Sequence, residues 1–562
     1  MKKIHLISLF LCFFGGGFWT ANSQEISLRL KANLKENQQI LDSLQIPINF
    51  EDLAAVESEI LKIQKQLYNK GFVQLKFLGL KKDRLKFTAT FEFGPAYKSV
   101  LIYGHSELFE NLGDELKTEP KSNQLYVEIP IADLEKKLEQ LSKFLSSQSY
   151  PFAVLQLQNI HPVNKQDLSA NLIINKGSQR QLQDIKILGY EKFPNAYLKH
   201  FLGIKTQSPF NLERIQSNMK LLSQLPFVQQ KRPAEVMFTK DFTAVYLYLE
   251  KTKSNRFDGF LGFGSNQNTG KLEFDGYMNL DLINNLNFGE SLKLNYKSDE
   301  IDQKTLDIAL QLPYLLGTAI GSTLNLNIFK KDSTFTTAQQ SVKLYYQINQ
   351  TQQIGIGIRL QQSNTLGNNI SVVVEDFNSH FYDLSYRFTK RKKKEDLFPI
   401  KTQLEMSLAF GKRNGTNSMK QRYSRIKGQH VLNLNTKNSI FLKLHLEELK
   451  SDQYLLNELL RFGGITSIRG FRENSLYAQR LGLVCSEYRY RLSPDLFVHS
   501  VMDTGYFQDT SNADYQIFGF GFGFGLRTSG GLLRLTYANG KIENTPFDLS
   551  QSKVHLSFAS IF

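Results

Sequence analysis

From about residue 257 to residue 562 the chain alternates apolar and polar residues with no helical period. That alternation restricts the possible folds more than any other feature. Successive side chains of a strand point to opposite faces, so such a stretch builds sheet. In Phe518-Gly-Phe-Gly-Phe-Gly-Phe-Gly525 the even positions are phenylalanine and the odd positions glycine. One face of that strand is wholly aromatic and the other is bare backbone. An aromatic face in water needs a packed partner, whereas in a bilayer it can face lipid. A soluble β-sandwich shows similar alternation, but it needs only about 100 residues. A run about three times as long favours a large barrel.

About sixteen strands can be placed, the first beginning near Phe257 and the eighth ending near Phe388. The eleventh spans 439–449, the twelfth 481–492, the thirteenth 496–507 and the sixteenth 553–562. In the last, Val554, Leu556, Phe558 and Phe562 point one way and Lys553, His555 and Ser557 the other. An even count returns the C-terminus to the side of the N-terminus. The basic run Lys390-Arg-Lys-Lys-Lys394 then lies on a turn on that side, either simply solvated or in contact with acidic headgroups. The long loop 451–480 lies on the opposite, outer side.

The N-terminus reads as a secretory signal over residues 1–23. Lys2 and Lys3 precede an apolar stretch from Ile4 to Phe18, and Ala21-Asn-Ser23 supplies a small-x-small cleavage site. Cys12 follows Phe10-Leu11 rather than a small residue, which argues against lipidation. Removal of the signal leaves Cys485 alone, so no intramolecular disulfide is expected. No other stretch has the roughly 18 apolar residues of a spanning helix. The formal charge of +15 suits an anionic surface, and export makes nucleic acid an improbable partner.

Three segments, 25–98, 99–180 and 181–252, share one order: a strand, a helical stretch and two strands. The first helix face is Leu53, Val56, Ile60, Ile63 and Leu67, ending at Gly71. The second is Leu134, Leu138, Leu141 and Leu145, and the third Leu212, Ile215, Met219 and Leu222. Phe72, Phe152 and Phe227 recur at intervals of about 75 to 80 residues. This order, with its Gly-Phe-Val transition, resembles the POTRA domain, a β-α-α-β-β module found in tandem in the periplasm. The third copy departs by having Pro226 where the first has glycine. An exposed sheet edge in such a module can pair with an extended client, or the module is a spacer whose edges are simply solvated. The expected fold is therefore α+β tandem modules followed by an all-β, sixteen-stranded antiparallel transmembrane barrel.

Within the barrel one constellation stands out. Glu487, Arg489 and Arg491 share a face of strand twelve, and charges facing lipid would cost about 2–4 kcal/mol each, so they face the lumen. Asp503 shares a face of strand thirteen with His499 and Gly505. On strand fourteen Gly519, Gly521, Gly523 and Gly525 leave the lumen wall without side chains. The glycine-rich stretch Arg461–Phe471 is the nearest long segment. It is expected to tuck inward, bringing Arg469 to Asp503 and Glu487.

Ile468-Arg469-Gly470-Phe471 resembles the signature on the sixth extracellular loop of the BamA/TamA family. Val501-Met-Asp503-Thr-Gly505 is similar to the family's aspartate-x-glycine motif, with Val501 in place of the leading aromatic. A chain ending on an aromatic, here Phe558 and Phe562, resembles the assembly signal of bacterial outer-membrane barrels. The resemblance implies an outer-membrane assembly or translocation factor with its modules in the periplasm. It would receive unfolded outer-membrane or secreted clients at module edges and pass them to a seam between the first and last strands. It also implies contact with outer-membrane lipid and a periplasmic or inner-membrane-anchored partner. Gly259, Gly262 and Gly264 would weaken packing at that seam. Three modules fit the TamA-like branch. A two-partner-secretion-type pore exporting a dedicated protein is the alternative. An enzyme is disfavoured: there is no Gly-x-Ser-x-Gly elbow, no metal-spaced histidine pair and no serine partnered with His499. No cofactor is expected. A diffusion porin would need neither the modules nor a loop that fills its own lumen.

Overall fold

The computed structural model describes residues 26–47, 49–111, 113–119, 123–265, 272–298, 303–367, 374–392, 395, 397–528, 531–546 and 548–561. The expected signal segment 1–23 and Phe562 lie outside the described residues, as do Lys393 and Lys394 of the basic run. The chain divides into two compact units, Met1–Arg180 with Pro209–Leu212, and Gln181–Ser208 with Glu213–Phe562.

The first unit holds two modules built on one topology. Ile26–Ala32 runs parallel to Lys86–Glu92, which forms an antiparallel hairpin with Lys76–Asp83. Ser99–Tyr103 likewise runs parallel to Asp167–Asn175, which is antiparallel to Val154–Pro162. In the first module Asp52 starts the helix Leu53–Asn69, its Oδ1 accepting from the Ala55 amide at 2.7 Å. Val56, Ile60, Ile63 and Leu67 are buried, at the expected helical spacing. Leu53 is not: at the first helical position it is 44 % exposed.

This helix ends on Gly71 at φ +99°, and the Phe72 amide reaches back to the Leu67 carbonyl at 3.1 Å. A Cβ on Gly71 would lie 2.0 Å from the Tyr97 carbonyl oxygen. In the second module Ser149, at φ +73°, and Tyr150, whose amide donates to Leu145, occupy the same cap. Tyr150 is therefore the counterpart of Phe72, and Phe152 is 45 % exposed. The aromatic spacing in the sequence tracked residue type, whereas the repeat is anchored on the helix cap. The second sheet also gains Lys117–Thr118 and Leu125–Pro130, making five strands. Their signal, the Leu125-Val127-Ile129 alternation, is short, and only Val127 and Ile129 are buried.

In the second unit Asp184–Gly189 runs parallel to Thr243–Lys251, itself antiparallel to Val228–Phe238. Ile215, Met219 and Leu222 are buried, as their spacing predicts. A single π-turn, Tyr197–Phe201, rests on the near rim of the barrel. The Tyr197 hydroxyl donates to the Gly289 carbonyl at 3.2 Å, and its ring meets Tyr314 edge-on at 4.9 Å. His200 Nε2 hydrogen-bonds the Gly317 carbonyl at 2.7 Å, and Gln350 donates to the Phe201 carbonyl at 2.9 Å. Burial, reinforced by Tyr314, pushes the Tyr197 phenol well above its ordinary pKa, so it stays a neutral donor.

Among the described residues sixteen strands close a barrel. Those used below are strands 1 (Arg256–Ser265), 5 (Ile320–Lys331), 6 (Phe335–Gln347), 7 (Gln352–Thr365), 8 (Phe377–Arg391), 9 (Ile400–Asn414) and 10 (Met419–Asn433), followed by 11 (Asn438–Lys450), 12 (Arg480–Arg491), 13 (Leu496–Gln508), 14 (Asp514–Thr528), 15 (Gly531–Ile542) and 16 (Lys553–Ile561). Strand 7 displays the pattern plainly. Ile354, Ile356, Ile358 and Leu360 are 44 to 64 % exposed, while Gln353, Gly355, Gly357 and Arg359 border an interior cavity. An apolar outer belt around a polar interior is the arrangement of a membrane-spanning barrel. Phe558 lies in strand 16, its backbone opposite Leu533.

The cap at Gly71 makes a measurable claim. Gly71→Ala must strain a positive φ and push against the Tyr97 carbonyl. It is expected to destabilise the first module by at least about 1 kcal/mol. Hydrogen exchange of the Leu53–Asn69 helix in the full chain should accelerate, with barrel exchange unchanged.

Candidate functional site

The outer loop between strands 11 and 12 narrows into a short hairpin, Leu460–Phe462 paired with Leu476–Ala478. The segment between these strands descends into the lumen. Its tip reaches Asp503, which lies five residues below the end of strand 13 at Gln508. At the usual rise this is about 17 Å of strand.

Arg469 is held there by a paired grip. Its Nε donates to Asp503 Oδ2 at 2.8 Å and its Nη2 to Oδ1 at 2.5 Å, a bidentate pair. Its own amide adds a bond to Oδ2 at 3.0 Å, and Nη1 donates to Glu487. The side chains of Arg469, Glu487 and Asp503 are 8, 3 and 0 % exposed. Two carboxylates around one guanidinium would leave an excess negative charge. Arg489 supplies the balance, donating to Glu487 Oε2 at 2.7 Å while lying over the rings of Phe398 and Phe441 at 4.4 and 4.1 Å. Arg534 approaches Glu487 at 3.6 Å.

Around the arginine the loop packs as a small core. Ile468 is fully buried in a cluster with Phe462, Leu481, Leu483, Phe507 and Ile517, and Phe471 packs against it. The Cys485 thiol lies 2.9 Å from the Ser467 carbonyl. Gly470 has φ +91°, and a Cβ there would stand 2.3 Å from the Gly540 amide of strand 15. Gly505 meets its strand neighbour: a Cβ would lie 2.6 Å from the Gly482 carbonyl.

The glycine row of strand 14 does not serve one purpose. Gly519 lies under the loop, where a Cβ would be 2.3 Å from the Arg469 carbonyl. Gly521 is closed by the Tyr537 carbonyl of strand 15, Gly523 by the His499 ring and Gly525 by the Phe497 ring. Strand 13 side chains thus fill the lower part of the expected bare wall. The loop rests instead on Gly519 and on Gly540, which sequence reasoning did not single out. His499 turns to the Ser500 carbonyl at 3.2 Å, and both Asp503 oxygens are taken by Arg469. No His–Asp dyad forms between them.

A second set of loop contacts was not legible in the sequence. Glu458, 3 % exposed, pairs with Arg413 of strand 9, accepts from Gln421 of strand 10 at 2.8 Å, and accepts from the Leu455 amide at 2.9 Å. Asn457 donates to Ser363 of strand 7 and to the Glu375 carbonyl, both at 2.8 Å. Arg461 lies over Phe329 of strand 5 at 3.8 Å. The loop is therefore fixed to walls far apart in sequence. It does not fill the lumen, contrary to expectation: beside it a cavity of about 1460 Å³ remains, bordered by Arg425, Lys427, His445 and Glu447. The loop is anchored at both sets of contacts, and the space beside it stays unfilled.

No protein-family model and no curated protein matches the sequence. Solved structures do match. BamA from Haemophilus ducreyi lacking POTRA domains 1–3 is 15 % identical, with a TM-score of 0.51 over 83 % of this chain and 100 % of that one. CdiB from Acinetobacter baumannii is 14 % identical, with a TM-score of 0.50 over 90 % of this chain and 98 % of that one. The chain thus has the fold of these barrels: POTRA-type modules leading into a sixteen-stranded β-barrel.

If Arg469 and Asp503 act as a pair, they behave as a unit under mutation. Arg469→Ala and Asp503→Ala should each lower barrel stability by about 3–5 kcal/mol, because each leaves a buried charge uncompensated. The double variant should cost little more than either single one. Thermal unfolding followed by heat-modifiable gel mobility reads all three, and additive losses would dissolve the pair.

Proposed function

We propose that this protein is an outer-membrane assembly or translocation factor. It receives extended client segments at module edges in the periplasm and passes them to the barrel seam. The observation that carries this reading is the weakness of that seam. Among the described residues strands 1 and 16 share two register pairs, Arg256 with Ile561 and Phe257 with Ser560. Every other neighbouring pair shares at least eight. Unpaired amides and carbonyls at membrane depth cost several kcal/mol each, so a client strand that pairs there gains what the barrel leaves unmet. Gly259, Gly262 and Gly264 of strand 1 pair with strand 2 but offer little to pack.

The module sheets supply edges of the required kind. Val154–Pro162 is the outermost strand of its five-stranded sheet, with Val154 and Ile160 59 and 57 % exposed. Lys76–Asp83 is an edge strand too, with Phe77 and Leu78 exposed. Apolar residues on a free edge suit strand addition by an extended polypeptide. A periplasmic or inner-membrane-anchored partner would meet the same modules. In this reading the loop anchor on strands 12 and 13 stiffens the wall that leads into the seam. A dedicated secretion pore is the second reading, supported by the cavity of about 1460 Å³ beside the loop.

Cysteines at Phe257 and Ser560 face each other across the seam at a spacing that a disulfide can bridge. Oxidation of the F257C/S560C double variant is expected to stop client assembly, with reduction restoring it. Assembly that continues in the oxidised form refutes the seam mechanism. Depletion followed by outer-membrane proteomics then separates the two readings. Loss of many barrels supports assembly, and loss of one surface protein supports the pore.

A further inference from the structure

A second cavity, of about 460 Å³, lies on the lumen side of the wall that includes strands 6 to 10. Its charges are unequal. Three carboxylates border it, and each is engaged. Asp307 accepts from Asn327; Asp383 accepts from Ser407 at 2.7 Å; Glu405 accepts from Gln403 at 2.9 Å and pairs with Arg387 at 3.0 Å. Five cations border it, and among the described residues Lys293, Lys343 and Arg425 make no ion pair there.

Arg359 is the most informative of the five. Its guanidinium carbon lies over the rings of Phe381 at 4.6 Å and Tyr423 at 4.1 Å, with the side chain 11 % exposed. Its Nε and Nη2 have no hydrogen-bond partner. Asp383 stands 3.7 Å from Nε, beyond hydrogen-bond reach. Buried donors left unmet cost about 1–3 kcal/mol each. Both atoms are closed to solvent, so Arg359 acts on the cavity through its charge.

The cavity itself has room for a short segment. Gly355 and Gly357 of strand 7 border it between the outward isoleucines, with Ser385 Oγ and Lys343 Cβ closing over them. Gln339 and Asn325 bring amide groups that match a peptide backbone. Bilayer lipid lies on the other face of the sheet and does not reach this side.

We propose that this cavity is a binding site for an acidic polypeptide segment held in the lumen. Lys343 and Arg425 meet its carboxylates, and Arg359 adds its buried positive charge behind them. The assignment rests on reading the barrel as a handler of polypeptides, and it adds a charge preference to that reading. The segment belongs to a client, and its acidic residues dock against the wall opposite their own sign.

Calorimetric titration of the purified full chain in detergent micelles at low salt tests this without requiring assembly. Hexaglutamate should bind saturably at one site and hexaglutamine should not. Arg359→Gln, Lys343→Gln and Arg425→Gln should each weaken hexaglutamate by at least about tenfold. Lys412→Gln, an exposed cation of strand 9 outside this cavity, should leave it unchanged. Heat-modifiable gel mobility identifies any variant that fails to fold, and the remaining ones decide. The site is overturned if hexaglutamate does not saturate, if the folded variants bind as the parent does, or if inorganic phosphate binds as tightly as the peptide. Such a failure leaves the seam reading untouched, because that reading is tested on client assembly alone.

Discussion

The Arg469–Asp503 pair is the contact on which the interior of this barrel depends. A buried guanidinium is costly unless its donors are met, and here a bidentate carboxylate, a second carboxylate and the loop's own amide surround the contact. The pair also needs close backbone approach. Gly470 against Gly540, and Gly519 beneath the Arg469 carbonyl, remove the side chains that would hold the loop away from the wall. Charge and shape thus select one position for a segment that would otherwise extend outward. Arg489, stacked on two rings and bound to Glu487, keeps that position electrically balanced.

The wall that receives the loop is well paired, with ten register pairs between strands 12 and 13, interrupted at Glu487 and Tyr488, and thirteen between strands 13 and 14. The seam between strands 1 and 16 has two. A sheet closed in this uneven way concentrates its unmet backbone groups in one place. The loop contributes by joining strands 12 and 13 to strands 7, 9 and 10 through Glu458 and Asn457. The loop braces strands 7, 9, 10, 12 and 13, and the edges of strands 1 and 16 are lightly paired. In the proposed mechanism the barrel yields at this seam while its interior holds.

The cavities follow from the same packing. With the loop held at these contacts, charges of strands 6 to 11 such as Lys343, Arg425 and Lys427 still border open space. Their imbalance then becomes a property of the lumen. In a porin such charges would set ion preference; in the function proposed above they meet polypeptide.

Much of this was readable from residue order. Alternation such as Ile354-Gly-Ile-Gly-Ile358 fixes which face meets lipid, because a strand has a period of two and nothing remote can shift it. The helix faces of the modules follow from a local period in the same way, although Leu53 shows that a terminal position can fall outside the core. Arg469, Asp503 and Glu487 were legible because a charge on a lumen face must find a partner. Sequence could not place Tyr150 as the equivalent of Phe72, since the cap and not the aromatic carries the repeat. Nor could it find Glu458 with Arg413, or Gly540 beneath Gly470, because these contacts join residues 45 and 70 positions apart whose neighbours carry no shared pattern. The sequence by itself therefore determined the strands, their faces and the charges that need partners. Only the closed barrel decided which partners meet, because register around sixteen strands sets distances that no local period records.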